Sequence, residues 1–167
     1  MLDKLVYNDK QKGYLMVEMM ISITLIVVGL LGVFALLTQS YAMQQPLADQ
    51  YTATYLASEG IEIVKNIIDT NAIQKKQWNA GCIIDGDYGV DFSSTVPDPL
   101  LAGVYLKFDD ATGWYSHQVG RQTKFQRTVT IENVSNDELR IISTVAWKGK
   151  GGRAQKVVLE DHFFNWR

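Results

Sequence analysis

Three carboxylates stand close together in the stretch Asp85-Gly-Asp87-Tyr-Gly-Val-Asp91. Oxygen ligands at this spacing suit Ca²⁺, which binds carboxylate and carbonyl oxygens in flexible geometry. The same stretch is also typical of a solvated turn, because Asp and Gly are favoured in turns for backbone reasons. It has neither the spacing of an EF-hand nor a closing bidentate Glu. We therefore expect a solvated turn and no cofactor, and a calcium site formed by Asp85, Asp87 and Asp91 is the alternative.

Other residues that could do chemistry form no catalytic pattern. The chain has one cysteine, Cys82, and two histidines, His117 and His162. A single cysteine excludes an intrachain disulfide and a cysteine-based zinc site with four ligands. The sequence has no Gly-x-Ser-x-Gly motif and no glycine-rich phosphate loop ahead of a helix. We predict that the protein is not an enzyme, with His117 on the surface and His162 within a strand.

The distribution of charge is uneven along the 167 residues, although the net charge is only -2. That charge, without a basic tail, argues against a specific nucleic-acid site. No charged residue occurs from Met19 to Ala48, and only Ser22 and Thr24 are polar between Met19 and Leu37. A helix over this apolar run is roughly 28 Å long, close to the thickness of the hydrocarbon core of a bilayer. Lysines before the run predict a cytoplasmic N-terminus and an exported remainder.

Three interpretations of the apolar run compete: a buried core helix, a cleaved signal peptide and a retained membrane helix. A signal peptide has an apolar stretch of about 7–15 residues, and Ser40-Tyr41-Ala42 could be its cleavage site. Cleavage after Ala42 would release a secreted binding module. The longer run and Glu18 at its start favour the retained helix, because a carboxylate in a membrane helix is costly and therefore usually functional.

Glu18 follows Gly13 by five residues in the string Gly13-Tyr14-Leu-Met-Val-Glu18, directly before the apolar run. This arrangement resembles the type IV prepilins and the pseudopilins of type II secretion systems. The resemblance implies cleavage between Gly13 and Tyr14 and N-methylation of Tyr14. It also implies that Glu18 serves in recognition and assembly. The string Gly29-Leu-Leu-Gly32 and the absence of a proline from the run favour a minor subunit.

The resemblance also implies a structural role and a location. The precursor would cross the cytoplasmic (inner) membrane once with its head outside, and would then enter a pilus or pseudopilus filament by helix–helix packing. The implied partners are a prepilin peptidase/methyltransferase, other pilin subunits, an inner-membrane assembly platform and membrane lipid. A surface pilus, type II secretion and DNA uptake remain alternatives for the system that the subunit serves.

Four segments position these residues. They are residues 1–13 as a cytoplasmic leader peptide, 14–45 as a hydrophobic membrane and filament-core helix, 46–70 as the amphipathic second half of the helix, and 71–167 as a loop plus an antiparallel β head domain. In the amphipathic half, Leu56, Gly60, Ile63, Val64 and Ile67 share one face at helical spacing. Pro46 is expected either to kink the helix or to begin a second one.

Residues 70–102 are rich in Gly, Pro, Asp, Asn and Ser and are predicted to be irregular. Strand-like runs separated by short turns follow, which predicts an antiparallel meander. Phe125, Arg127, Val129 and Ile131 alternate along one such run and share one face. We expect Trp147 in the core and leave Trp114 open between the core and an exposed patch. The expected fold class is α+β and pilin-like, with a long N-terminal helix packed on a C-terminal antiparallel sheet.

Overall fold

The computed structural model describes the backbone of residues 3–166 and the side chains of residues 14–166. Helix α1 spans Asp3–Ile73 and contains Pro46. Two compact units divide the chain, the first ending at Gln45 and the second beginning at Pro46. Pro46 therefore does not begin a second helix, which was one of its two predicted roles. A proline removes only one backbone hydrogen bond, and the turns on either side of it retain theirs.

The first unit exposes its apolar surface. All of its large hydrophobic side chains from Tyr14 to Leu37 are exposed, and the most covered of them, Val27, is still 47% exposed. The hydroxyl of Thr24 donates to the carbonyl of Met20 at 2.7 Å, so it is satisfied within the helix. By length and composition, α1 contains one stretch that could cross a membrane. This finding agrees with the prediction of a single apolar segment near the N-terminus that is long enough to cross a membrane.

The second unit contains residues 46–73 of α1, and there the helix is amphipathic. Its buried apolar residues recur at helical spacing, and they are Ala53, Leu56, Ala57, Ile63, Val64 and Ile67. Gly60 lies on the same face, against Ser143 and Val129 of the sheet. The predicted apolar stripe is therefore confirmed, and it covers the sheet.

Six strands form the antiparallel sheet. They are β1 Gly86–Tyr88, β2 Tyr105–Phe108, β3 Tyr115–Ser116, β4 Arg121–Ser135, β5 Glu138–Lys148 and β6 Ala154–Phe164. The order is β3-β2-β4-β5-β6, and β1 also pairs with β4. In the β4–β5 hairpin, Val129 pairs with Ser143, and in the β5–β6 hairpin Val145 pairs with Val157. Short turns join these long strands, as the sequence predicts.

The segment predicted to be irregular contains more regular structure than expected. It holds β1 and a short 3₁₀ helix, Pro99–Leu101. Gly86 pairs with Ile131 and Tyr88 with Val129, so β1 exists because β4 provides its hydrogen-bonding partner. Gly89 lies so close to Leu101 that an added Cβ would meet the Leu101 backbone at 2.4 Å. A three-residue strand with a partner this far along the chain leaves little trace in local composition.

The core lies between the amphipathic part of α1 and the inner face of the sheet. One cluster joins Ile63, Val64 and Ile67 to residues of β4 and β5, and the other joins Leu56 to Phe125 and Trp147. The alternation predicted for β4 is confirmed, since Phe125, Arg127, Val129 and Ile131 are all buried. The predicted fold class is confirmed as well: a long N-terminal helix packs on an antiparallel sheet in an α+β, pilin-like arrangement.

Candidate functional sites of the helix and the head

Two of the residues assigned to processing and assembly lie on the surface of α1. Tyr14 and Glu18 are exposed and four residues apart, which places them on one face of the helix. The side chains around Glu18 include Leu15, Met19 and Ile23. The carboxylate therefore stands among apolar neighbours. Gly13 lies outside the residues whose side chains are described, so cleavage after it stays a prediction.

Asp85 and Asp87 bind to β4. The Oδ1 atom of Asp85 accepts hydrogen bonds from the backbone N and the Nδ2 of Asn133, both at 2.8 Å. These bonds hold the pKa of Asp85 below its ordinary value. The Oδ1 atom of Asp87 accepts from Thr130 Oγ1 at 2.6 Å. Both carboxylates thus fasten β1 and the residues before it to the sheet.

Asp91 is buried and serves a different purpose. Its Oδ1 accepts from the backbone N and the hydroxyl of Ser93, at 3.0 and 2.7 Å, and from the hydroxyl of Ser94 at 3.2 Å. Its Oδ2 accepts from the backbone N of His117 at 3.1 Å. Burial disfavours the charged carboxylate, yet these hydrogen bonds outweigh it and hold the pKa of Asp91 below its ordinary value. Asp91 therefore joins two segments that are distant in sequence.

The structure does not bring the three carboxylates together. Among the described residues, no group of three or more His, Cys, Asp or Glu side chains could hold a metal ion. Each of Asp85, Asp87 and Asp91 instead accepts hydrogen bonds from its own protein donors. The geometry thus favours a structural role over calcium binding. The solvated-turn interpretation does not fit Asp91, which is 2% exposed.

Arg127 on β4 is a fully buried charged side chain. Its Nη1 donates to the carbonyl of Leu56 and to Glu59 Oε2, both at 2.9 Å. Its Nη2 donates to the carbonyl of Val90. One guanidinium therefore joins β4, the amphipathic part of α1 and the segment that leads to Asp91. The sequence places Arg127 on the buried face, but its partners are 37 residues or more away along the chain.

The two histidines differ in environment. His117 is buried, not on the surface as predicted, because its backbone N donates to Asp91 in the interior. Burial, together with the charge of Arg127, lowers the pKa of His117. His162 lies on β6 as predicted, with Nδ1 at 2.8 Å from Glu138 and Nε2 at 3.2 Å from Glu160. Hydrogen bonds to Glu138 and then Glu160 raise the pKa of His162.

A cleft of about 440 Å³ opens on the head, and we call it the aromatic cleft. It is lined by Phe92, Ser93, Asp109, Thr112, Trp114, Ser116, Gln118 and Val119. The rings of Phe92 and Trp114 meet edge to face, with centroids 4.5 Å apart and planes at 88°. Trp114 is 53% exposed, whereas Trp147 lies in the core as predicted. The sequence leaves Trp114 undecided, and the only local signal is the turn Asp109-Asp-Ala-Thr-Gly113 just before it.

The chain was compared with known proteins, and no protein-family model, curated protein or solved structure matches it.

Proposed function

We propose that the protein is a structural subunit, a minor pilin or pseudopilin, of a type IV pilus or a type II secretion-like filament. The observation that carries the proposal is the apolar surface of α1 between Tyr14 and Leu37, which is exposed on all sides. A helix that is apolar all round requires lipid or other helices around it. The inner membrane supplies lipid to the precursor, and neighbouring subunits supply helices in a filament.

The processing step follows from the residues before this segment. A prepilin peptidase cuts after Gly13 and methylates the new amine of Tyr14, and an assembly platform then adds the subunit to the filament. Reading the mature N-terminus by mass spectrometry, after expression with the peptidase, tests this step. We expect an N-methylated Tyr14. A chain that still begins at Met1, or one that begins at Met43, would contradict the proposal.

Glu18 gives the proposal its chemical test. The amine of Tyr14 and the carboxylate of Glu18 are both costly in an apolar environment unless they are paired. In a staggered filament, Glu18 of one subunit pairs with the Tyr14 amine of the next and sets the axial register. We expect Glu18→Ala to insert into the membrane and to be cleaved normally, but to be strongly depleted from sheared filaments.

The matched control for Glu18→Ala is Ser22→Ala, one turn further along α1 in the same surface depression. This variant keeps the carboxylate and should enter filaments at the wild-type level. Glu18→Gln separates charge from hydrogen bonding, and it should be as depleted as Glu18→Ala. Wild-type amounts of Glu18→Ala in the filament fraction would remove the assembly role of the carboxylate.

A secreted binding module is the second candidate, and the aromatic cleft is the observation that favours it. Cleavage after Ala42 would remove the exposed apolar segment and leave the second unit with its cleft. The same N-terminal measurement separates the two candidates, because this route yields a mature chain that begins at Met43.

A further inference from the structure

We propose that the aromatic cleft binds an organic cation, an alkylammonium group such as the end of a lysine side chain. This inference goes beyond the filament role and does not depend on it. It is carried by three features of the cleft: its aromatic walls, the charge at its edge and the way its two sides are held.

The walls are aromatic and open to solvent. Phe92 is 50% exposed and Trp114 is 53% exposed, so both rings present surface to a ligand. Their edge-to-face contact forms a corner rather than a flat platform. Aromatic faces attract ammonium groups because the ring quadrupole is negative over the face, and Trp is the strongest such partner. Val119 adds apolar surface for the stem of the ligand.

The charge of the cleft is negative. Asp109 is the one ionisable side chain among the described residues that line it. Its carboxylate accepts from the backbone N of Ala111 at 3.0 Å and from Thr112 Oγ1 at 2.8 Å. These hydrogen bonds hold the pKa of Asp109 below its ordinary value, so the group is ionised at neutral pH. A carboxylate has lone pairs for further donors, and an ammonium group supplies three.

The hydroxyls of the cleft already have partners, which disfavours a saccharide ligand. Ser93 donates to Asp91 at 2.7 Å, and Ser116 donates to the carbonyl of Val119 at 3.0 Å. Lys107 is a cation near the cleft, and its Nζ donates to the carbonyl of Gln118 at 3.0 Å. The polar contacts left for a ligand are therefore centred on Asp109 and the Gln118 amide, with aromatic and aliphatic surface around them.

The two sides of the cleft are held in place before any ligand binds. Asp91 bonds Ser93 beside one wall and His117 beyond the other, so a single carboxylate ties both sides together. Asp109 closes the turn that leads to Trp114, and its backbone N donates to the Trp114 carbonyl at 3.0 Å. A site fixed in this way loses little conformational entropy on binding.

The test uses the full chain, labelled with 5-fluorotryptophan, in polyoxyethylene detergent micelles that carry neither charge nor sugar. Trp114→Phe assigns the fluorine resonance of Trp114. The probe is Nα-acetyl-lysine methylamide, and its matched control is Nα-acetyl-norleucine methylamide, which has a similar stem without the charge. We expect a saturable shift of the Trp114 resonance with the lysine probe and binding about tenfold weaker with norleucine.

Two carboxylate variants locate the charge. Asp109→Asn keeps one acceptor oxygen for the backbone N of Ala111, and its Nδ2 can donate to Thr112 Oγ1, but the charge is removed. It should weaken binding of the lysine probe about tenfold. Asp110→Asn is the matched control, because Asp110 lies next in sequence, faces Arg121 at 3.8 Å and does not line the cleft. It should bind the lysine probe as the wild type does. The resonances of the other tryptophans report whether each variant is folded.

Three results would overturn the proposal. Equal binding of the lysine and norleucine probes would make the cleft a purely apolar site. A Trp114 shift produced by methyl glucoside or methyl galactoside, and not by the lysine probe, would make it a saccharide site. No shift with any probe, in a chain whose other tryptophan resonances are those of the folded protein, would leave the cleft without a ligand of this kind.

Discussion

The two segments of α1 on either side of the boundary at Pro46 are equally helical and differ in how their apolar residues are arranged. From Tyr14 to Gln45 they occur on every side of the helix, and their side chains are exposed. From Pro46 to Ile73 most of them form one stripe that is buried against the sheet, whereas Leu47, Tyr51, Tyr55 and Ile73 are exposed. Hydrophobicity alone therefore does not decide whether a helix joins a core. A stripe can be covered from one side by the chain's own sheet, whereas apolar residues on every side must be covered by something else.

Glycines show the same contrast within one helix. An added Cβ at Gly29 or Gly32 would meet nothing within 4 Å. An added Cβ at Gly60 would lie 2.6 Å from Ser143 Oγ and 3.2 Å from Arg127 Cδ. Gly60 therefore lies at a tight contact between α1 and the sheet. Gly29 and Gly32 have open space beside them, which would allow another helix to approach closely.

The largest effect is expected from removing the ion that fastens the second segment. Arg127→Met leaves the carbonyl of Val90 and the carboxylate of Glu59 without this donor. Breaking a buried pair on one side costs about 3–5 kcal/mol of unfolding free energy, and because Glu59 is 34% exposed we expect a loss at the lower end, about 3 kcal/mol. Urea unfolding of the full chain in detergent, followed by tryptophan fluorescence, measures the loss.

Arg140→Met is the matched control for Arg127→Met, because Arg140 lies on the neighbouring strand and pairs with Glu132 in a half-exposed position. Exposed ion pairs contribute little to stability. We expect Arg140→Met to unfold near the wild-type urea midpoint. If both variants lost the same stability, burial of Arg127 would not be the cause.

A smaller effect is expected from filling the tight approach at Gly60. Gly60→Val forces a branched side chain against Ser143 and Val129, and overpacking of this kind costs about 1–3 kcal/mol. Gly32→Val makes the same substitution in the first segment, where nothing lies within 4 Å. Its urea unfolding should match that of the wild type. Equal destabilisation by the two substitutions would erase the distinction between the segments.

The smallest effect concerns β6, which lies outside both helical segments. The pKa of His162 is raised in the folded state, so its pairing with Glu138 and Glu160 stabilises the fold when the imidazole is charged. This contribution is complete below the unfolded pKa of about 6.5 and disappears as the pH rises through the folded pKa. The wild type should therefore exceed His162→Gln in stability at pH 5.5 and equal it at pH 9.

The contribution of His117 to the pH dependence of stability must be cancelled in that measurement, because the pKa of His117 shifts in the opposite direction. Its folded pKa is lowered, so it reduces the stability of the fold as the pH falls through the unfolded pKa. The variant and the wild type both keep His117, and only the difference between their unfolding free energies is compared at each pH. If the stability advantage of the wild type over His162→Gln grew as the pH rose, the predicted pH dependence of the His162 contribution would be wrong.

The parts of the fold that follow from local periodicity could be predicted from the sequence. Alternation placed Phe125, Arg127 and Val129 on the buried face of β4, and helical spacing placed Leu56 and Ile67 on the buried face of α1. Strand β1 could not be predicted in this way, because three residues in a Gly- and Asp-rich stretch become a strand only when β4 lies beside them. Periodicity predicts which face of a helix or strand is buried, whereas strand pairing depends on contacts between residues that are distant in sequence.

Site prediction was limited by the same dependence on distant contacts. Residue types at Asp85 and Asp91 suit an oxygen-ligand site, but Asp91 turns inward to a backbone donor 26 residues away. The aromatic cleft combines Phe92 with Trp114, which come from separate loops, so no local pattern marks it. Gly13, Tyr14 and Glu18 form a local motif that can be recognised in the sequence, and their roles stay predictions.

Cys82 gives the head a built-in reporter of its own opening. The thiol is fully buried, and burial raises its pKa to about 11. At pH 7 only about one thiol in ten thousand is a thiolate at that pKa, so alkylating reagents meet almost no reactive sulfur in the closed head. Labelling therefore requires a transient local opening of the head that exposes residue 82. The rate of iodoacetamide incorporation, read by mass spectrometry, therefore measures how often the head opens enough to expose residue 82, with no label introduced into the protein beforehand.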